Sequence, residues 1–148
     1  MTHPTRSIPA LRREVRVACD AHRAFRLFTE RIGEWWPLAS HSVYGEHATL
    51  AFEGDRLVER HGAQESLWGE VLEWDPPRGF TITWHPGHGT ERATEVTVVF
   101  QQDDDGTTVR LTHTGWDILP APLSARENYA TGWIIVLGHL VDHVAATD

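Results

Sequence analysis

Apolar and polar positions follow two periods along this chain, and the periods divide it into a short series of elements. Residues 12–18 alternate and predict a first strand with Val15 and Val17 inward. Asp20 then occupies an N-cap position before Ala21, Ala24, Phe25, Phe28 and Ile32 at helical spacing, with Gly33 expected to end that helix. Trp35-Trp36-Pro37 forms an aromatic corner, because proline cannot continue the helix.

Alternation resumes afterwards. Leu50 and Phe52 precede the turn Glu53-Gly54-Asp55, which leads into a strand over 56–60. Residues 66–74 and 80–85 pair across Asp75-Pro76-Pro77-Arg78-Gly79, and residues 94–101 and 107–114 pair across Asp103-Asp104-Asp105-Gly106. Phe80, Ile82 and Trp84 share one face; so do Val96, Val98 and Phe100, and Val109, Leu111 and His113. Parity within 66–74 is inconsistent, since Trp68, Leu72 and Trp74 oppose Val71, and a bulge near Gly69 would reconcile them.

The last element is a long helix. Ser124-Ala125-Arg126-Glu127 has capping-box spacing, with Pro120 and Pro122 ahead of it. Tyr129, Trp133, Val136, Leu137, Leu140 and Val144 fall on one stripe, and Arg126 falls within it. The order strand, helices, about six antiparallel strands and a long helix predicts an α+β fold, a curved sheet of six to seven strands closed on the C-terminal helix. One domain is expected over 1–148, with its core at about 12–145.

Composition narrows the function. A formal charge of −8 disfavours nucleic acid and anionic membranes as partners. All 13 basic side chains are arginine, and with no lysine, Schiff-base chemistry and a phosphate-loop lysine are excluded. Cys19 is alone, so an internal disulfide and a cysteine-rich zinc site are excluded, and a reduced, cytoplasmic setting is expected. No apolar run approaches the ~20 residues of a membrane span, and no signal segment is expected from the Met1–Arg6 stretch.

The residues Ala24–Phe28, Trp35-Trp36-Pro37, Trp68-Gly69-Glu70-Val71, Asp75-Pro76-Pro77, Phe80–Trp84, Gly106–His113 and Gly132-Trp133 carry a resemblance over nearly the whole chain. In their order and spacing they resemble the START-like, helix-grip superfamily (SRPBCC), and within it the homologues of the heat-shock-protein-90 ATPase activator. The resemblance implies a cavity under the C-terminal helix and says little of activity, because the superfamily spans lipid carriers, polyketide cyclases and cochaperone domains. The cochaperone activators carry a further N-terminal domain that these residues do not include, which counts against chaperone activation.

Candidate site residues follow from the aromatic pattern. Trp35, Trp84, Trp116, Tyr129 and Trp133 could line a ligand cavity, with indole N–H groups as oriented donors, or could fill the core of a small domain. His113 could bind a ligand or act as a general base, or could be a buried histidine satisfied by a neighbour. Arg126 could clamp an oxyanion at the cavity mouth, or pair with a glutamate, or extend outward from the helix end. His139 and His143 have chelating spacing without a third ligand, and His85-Pro86-Gly87-His88 reads as a turn. Asp103-Asp104-Asp105-Gly106 lacks the downstream glutamate of a calcium loop.

The expectation is therefore binding of a small hydrophobic or aromatic ligand, with no cofactor and no metal. A cyclase- or hydrolase-type enzyme using His113 is the alternative. A protein-interaction module, whether homodimer or chaperone-associated, is the third reading, with Ile135 as its one surface hint.

Overall fold

The computed structural model describes residues 8–146. Seven antiparallel strands form one sheet in the order β1-β7-β6-β5-β4-β3-β2. The strands are β1 (Leu11–Val17), β2 (Thr49–Glu53), β3 (Arg56–His61), β4 (Gln64–Asp75), β5 (Gly79–Trp84), β6 (Thr94–Asp103) and β7 (Gly106–Thr114). Between β1 and β2 run α1 (Ala21–Thr29) and α2 (Ile32–Trp35), and the chain closes with α3 (Pro122–Ala146). This is the α+β arrangement expected from the sequence.

The inward faces are those the alternation predicts. Phe80, Ile82, Trp84, Val96, Val98, Phe100, Val109, Leu111 and His113 are all buried. From α3 they receive Trp133, Val136, Leu137, Leu140 and Val144, each 2 % exposed or less. Burial of such side chains is worth about 1.5–3 kcal/mol apiece and drives the sheet to curl round the helix. The Asp20 carboxylate caps α1 by accepting the Arg23 N–H at 2.8 Å, as its position before the helical repeat requires.

Two local expectations are corrected and a third is extended. The first helix does not run on to Gly33: it stops at Thr29 and resumes as α2. The Thr29 hydroxyl donates back to the Phe25 carbonyl at 2.7 Å, a bond that bends helices. Gly33 lies inside α2, where a Cβ would come within 2.6 Å of the Leu50 carbonyl oxygen. Its role is close approach rather than capping. Second, α3 begins at Pro122, with the Ala125 N–H bonded to the Ala121 carbonyl at 3.0 Å, so Ser124 is a helical residue and not a cap. Proline at the first helical position, with its preset φ and no N–H to satisfy, starts the helix early.

Third, β4 carries two irregularities. Leu57 pairs with Gly69 and Val58 with Leu67, leaving Trp68 unpaired; Val71 pairs with Ile82 and Glu73 with Thr81, leaving Leu72 unpaired. The first resolves the parity conflict close to where it was expected. The second turns Leu72 outward to 53 % exposure.

Candidate functional site: an aromatic cleft under the C-terminal helix

On α3 the spacing of Tyr129, Gly132, Trp133 and Val136 sets four residues on one face. Opposite stand Trp84 from β5, Trp68 at the first bulge of β4, and Trp36 just beyond α2, held extended by Pro37. Together with His41, Ser42, Val43 and Pro86 these residues enclose a cleft of about 190 Å³. The rings pack edge to face or tilted: Trp36 lies 5.2 Å from Trp68, 5.9 Å from Trp84 and 5.8 Å from Trp133, centroid to centroid. Beneath this floor the cup is filled; an adjoining void among Phe28, Ile32, Phe80 and Ile82 measures only about 10 Å³. Core and cleft therefore share Trp36, Trp84 and Trp133 as a common wall.

Each indole N–H on this wall is committed within the protein. Trp36 Nε1 donates to the His41 carbonyl at 2.7 Å, and Trp68 Nε1 to Glu59 Oε1 at 3.0 Å. Trp84 Nε1 donates to the Tyr129 hydroxyl at 3.3 Å, and Trp133 Nε1 to His113 Nδ1 at 3.1 Å. The expectation that indoles would offer donors to a guest is thus corrected: they offer faces and edges.

His113 is fully buried and does not line the cleft. Because an indole N–H can only donate, His113 Nδ1 must accept, which places the ring proton of the neutral tautomer on Nε2. Nε2 lies 2.6 Å from Thr94 Oγ1, which in turn donates to the Trp84 carbonyl at 3.1 Å. The relay ties α3 to β7, β6 and β5. Burial pushes the His113 pKa down to about 3, so the ring is neutral at ordinary pH. Both nitrogens being bonded, the geometry gives His113 an anchoring position and no lone pair facing the cleft.

The other sequence-derived candidates divide in the same way. Trp84, Tyr129 and Trp133 line the cleft. Trp35 faces the core, its Nε1 donating to the Leu27 carbonyl at 2.8 Å. Trp116 is fully buried behind His113, with ring centroids 4.1 Å apart. Arg126 is away from the cleft: its Nε and Nη2 donate to the carbonyls of Pro9 and Ala10 at 2.9 and 3.0 Å, fastening α3 to the segment entering β1. A guanidinium within an apolar stripe is accommodated because backbone carbonyls of the neighbouring chain segment take its donors.

His139 is exposed, while His143 is half-buried with Nε2 3.9 Å from Glu34 Oε1. His85 is buried, its Nδ1 3.2 Å from the His88 carbonyl across the turn. Asp104 and Asp105 form the β6–β7 turn. Among the described residues, no cluster of three or more His, Cys, Asp or Glu side chains is arranged to hold a metal ion.

Besides the cleft positions of Trp36 and Trp68, two features escaped the sequence reading. Glu59 is a fully buried carboxylate, accepting the Val43 and Tyr44 N–H groups at 2.8 Å each besides the Trp68 indole. It fastens the rim of the cleft to β3, and its parity with buried Leu57 is the signal that could have found it. The rim residues His41, Ser42 and Val43 lie in a segment without either period, where no sequence signal was present. The outer surface also carries more exposed apolar side chains than Ile135 alone, with Ile118, Leu123 and Ile134 each above half exposure.

A curved antiparallel sheet gripping a long C-terminal helix, with a cleft at their junction, defines a START-like, helix-grip protein. The chain belongs to the family described as Activator of Hsp90 ATPase homolog 1-like protein, whose model matches residues 18–145. Among curated proteins none matches it in sequence. It is similar to a Mesorhizobium loti protein of known structure at 19 % identity and a TM-score of 0.71, covering 95 % of this chain and 99 % of that one. It is similar also to the Aha1 dimer from Colwellia psychrerythraea, at 16 % identity, a TM-score of 0.67, and 93 % and 96 % coverage. A third, an anthrahydroquino-γ-pyrone synthase, Txn09, solved as a complex, is 37 % identical over 73 % of this chain and 77 % of that one, with a TM-score of 0.53. Among the described residues no helix is long and apolar enough to cross a membrane.

Proposed function

We propose that this protein binds a small, largely apolar ring compound in the cleft under α3. The observation that carries the reading is the convergence of four indoles and one phenol on a cleft of about 190 Å³ that no Arg, Asp or Glu lines. A cleft of that size suits roughly one or two fused rings, since an apolar cavity of about 150 Å³ already takes benzene. The ring faces supply contact area, and a charged guest would lose hydration there without an ionic partner. The cytoplasm belongs to this reading as the expected compartment, supported by the lone Cys19.

Native mass spectrometry of freshly purified protein, set beside the same sample after denaturation, tests it. A mass excess lost on denaturation, or saturable quenching of tryptophan fluorescence by neutral bicyclic compounds, is the expected result. A bare mass together with no saturable quenching across a panel of such compounds rejects it.

An enzyme of the cyclase type is a second reading, favoured by the 37 % identity to a protein described as a synthase. With both His113 nitrogens bonded internally, acid–base work would fall to Tyr129 and His41, the titratable groups that line the cleft. Conversion of anthrahydroquinone-type ketones by the purified protein, followed by mass spectrometry, would support this reading. Unchanged substrate under saturating binding would reject it.

A further inference from the structure

All four indole N–H groups of the cleft donate to protein acceptors. Ser42 Oγ donates to the Leu38 carbonyl at 2.6 Å and accepts the Gly45 N–H at 2.9 Å. His41 is held at the mouth, its Nδ1 2.6 Å from Ser40 Oγ and its ring about 3.7 Å from where a Cβ on Gly132 would stand. Two polar groups are left over: His41 Nε2, which has no partner among the described residues, and the Tyr129 hydroxyl. The Tyr129 oxygen accepts the Trp84 indole proton, so its own proton is not directed there, and among the described residues no acceptor takes it. An O–H donor thus stands on a wall made mostly of ring faces and edges.

We infer that Tyr129 is the specificity-determining hydrogen-bond donor of the cleft, selecting neutral ring compounds that bear a carbonyl oxygen over their hydrocarbon counterparts. The inference rests on the binding reading above and deepens it. A ketone oxygen needs one donor and no counter-charge, which is what the lining offers. A carboxylate would enter without an arginine to meet it, since Arg126 is bonded to Pro9 and Ala10. Burial raises the Tyr129 pKa, which keeps the hydroxyl protonated through the neutral range. The Trp84 N–H fixes the position of the oxygen from behind, so the donor is oriented before the guest arrives.

The test is calorimetric titration of the intact protein with 1-indanone and with indane, which share a bicyclic frame and differ by the ketone. Wild type is expected to bind 1-indanone roughly five- to tenfold more tightly, the effect of one neutral hydrogen bond in a partly buried site. Tyr129→Phe is expected to abolish that preference, so that the two compounds bind with equal affinity. Equal wild-type affinities, or a preference that survives Tyr129→Phe, overturn the inference and leave the binding reading standing. Failure of wild type to bind either compound overturns the inference, while the binding reading is decided by the native mass and the quenching panel. Infrared spectroscopy of carbonyl-labelled 1-indanone bound to wild type tests for the hydrogen bond without the variant. A carbonyl stretch lowered from its value in alkane solvent is expected, and an alkane-like stretch overturns the inference.

Discussion

At the scale of single residues, buried polar groups set the geometry of the cleft. His113 holds Trp133 through one nitrogen and Thr94 through the other, so a change of its charge should be felt as stability. Its pKa falls from the ordinary 6.5 to about 3 in the folded protein. Between those values the unfolded chain binds the extra proton, so stability contributed by the neutral ring is fully present above pH 6.5 and is lost as pH falls toward 3. The loss is roughly 1.4 kcal/mol per pH unit within that window. Urea denaturation at pH 7.5 and 4.5 should show wild type losing roughly 2–3 kcal/mol more than His113→Gln, whose amide cannot titrate. Equal losses would contradict the assignment. The inward position of His113 was legible from its parity with Val109 and Leu111; its partners were not, because Thr94 and Trp133 are distant in sequence and meet only in the fold.

At the scale of elements, close backbone approach governs which glycines matter. A Cβ on Gly69 would fall 1.8 Å from the Thr83 carbonyl oxygen, beside the bulge that leaves Trp68 unpaired. Around Gly138, within α3, a Cβ would meet nothing within 4 Å. Gly69→Ala is expected to cost more than about 4 kcal/mol or prevent folding, since strand backbone cannot yield as a side chain can. Gly138→Ala is expected to raise stability by roughly 0.5–1 kcal/mol through helix propensity. Thermal unfolding of the two variants checks both, and similar behaviour would contradict the packing described. Periodicity marked out the strands and the long helix because a half-buried element must repeat its contacts. Helix ends and the Leu72 irregularity were missed because they depend on single contacts that leave no period, such as the Thr29–Phe25 bond within α1 and the β4–β5 register.

At the scale of the whole molecule, the sheet and α3 form a cup whose interior is filled and whose mouth is open, lined by rings on three elements and a rim fastened by Glu59. The seven tryptophans report on this arrangement individually. Trp36, Trp68, Trp84 and Trp133 line the cleft, whereas Trp35 faces the core and Trp74, near the end of β4, packs against Phe25, Phe52 and Phe80 at 45 % exposure. The inward positions of Trp84, Tyr129 and Trp133 were legible in the sequence, because β5 and α3 have clean periods. Those of Trp36 and Trp68 were not, since a proline corner and a bulge turn them toward the cleft. The most direct measurement is a nitrogen–proton correlation spectrum of the indole N–H groups during titration with 1-indanone. The Trp36, Trp68, Trp84 and Trp133 signals are expected to move together and saturate while those of Trp35 and Trp74 stay in place. No movement at high ligand concentration, or movement confined to Trp74, would contradict a binding cleft beneath the C-terminal helix.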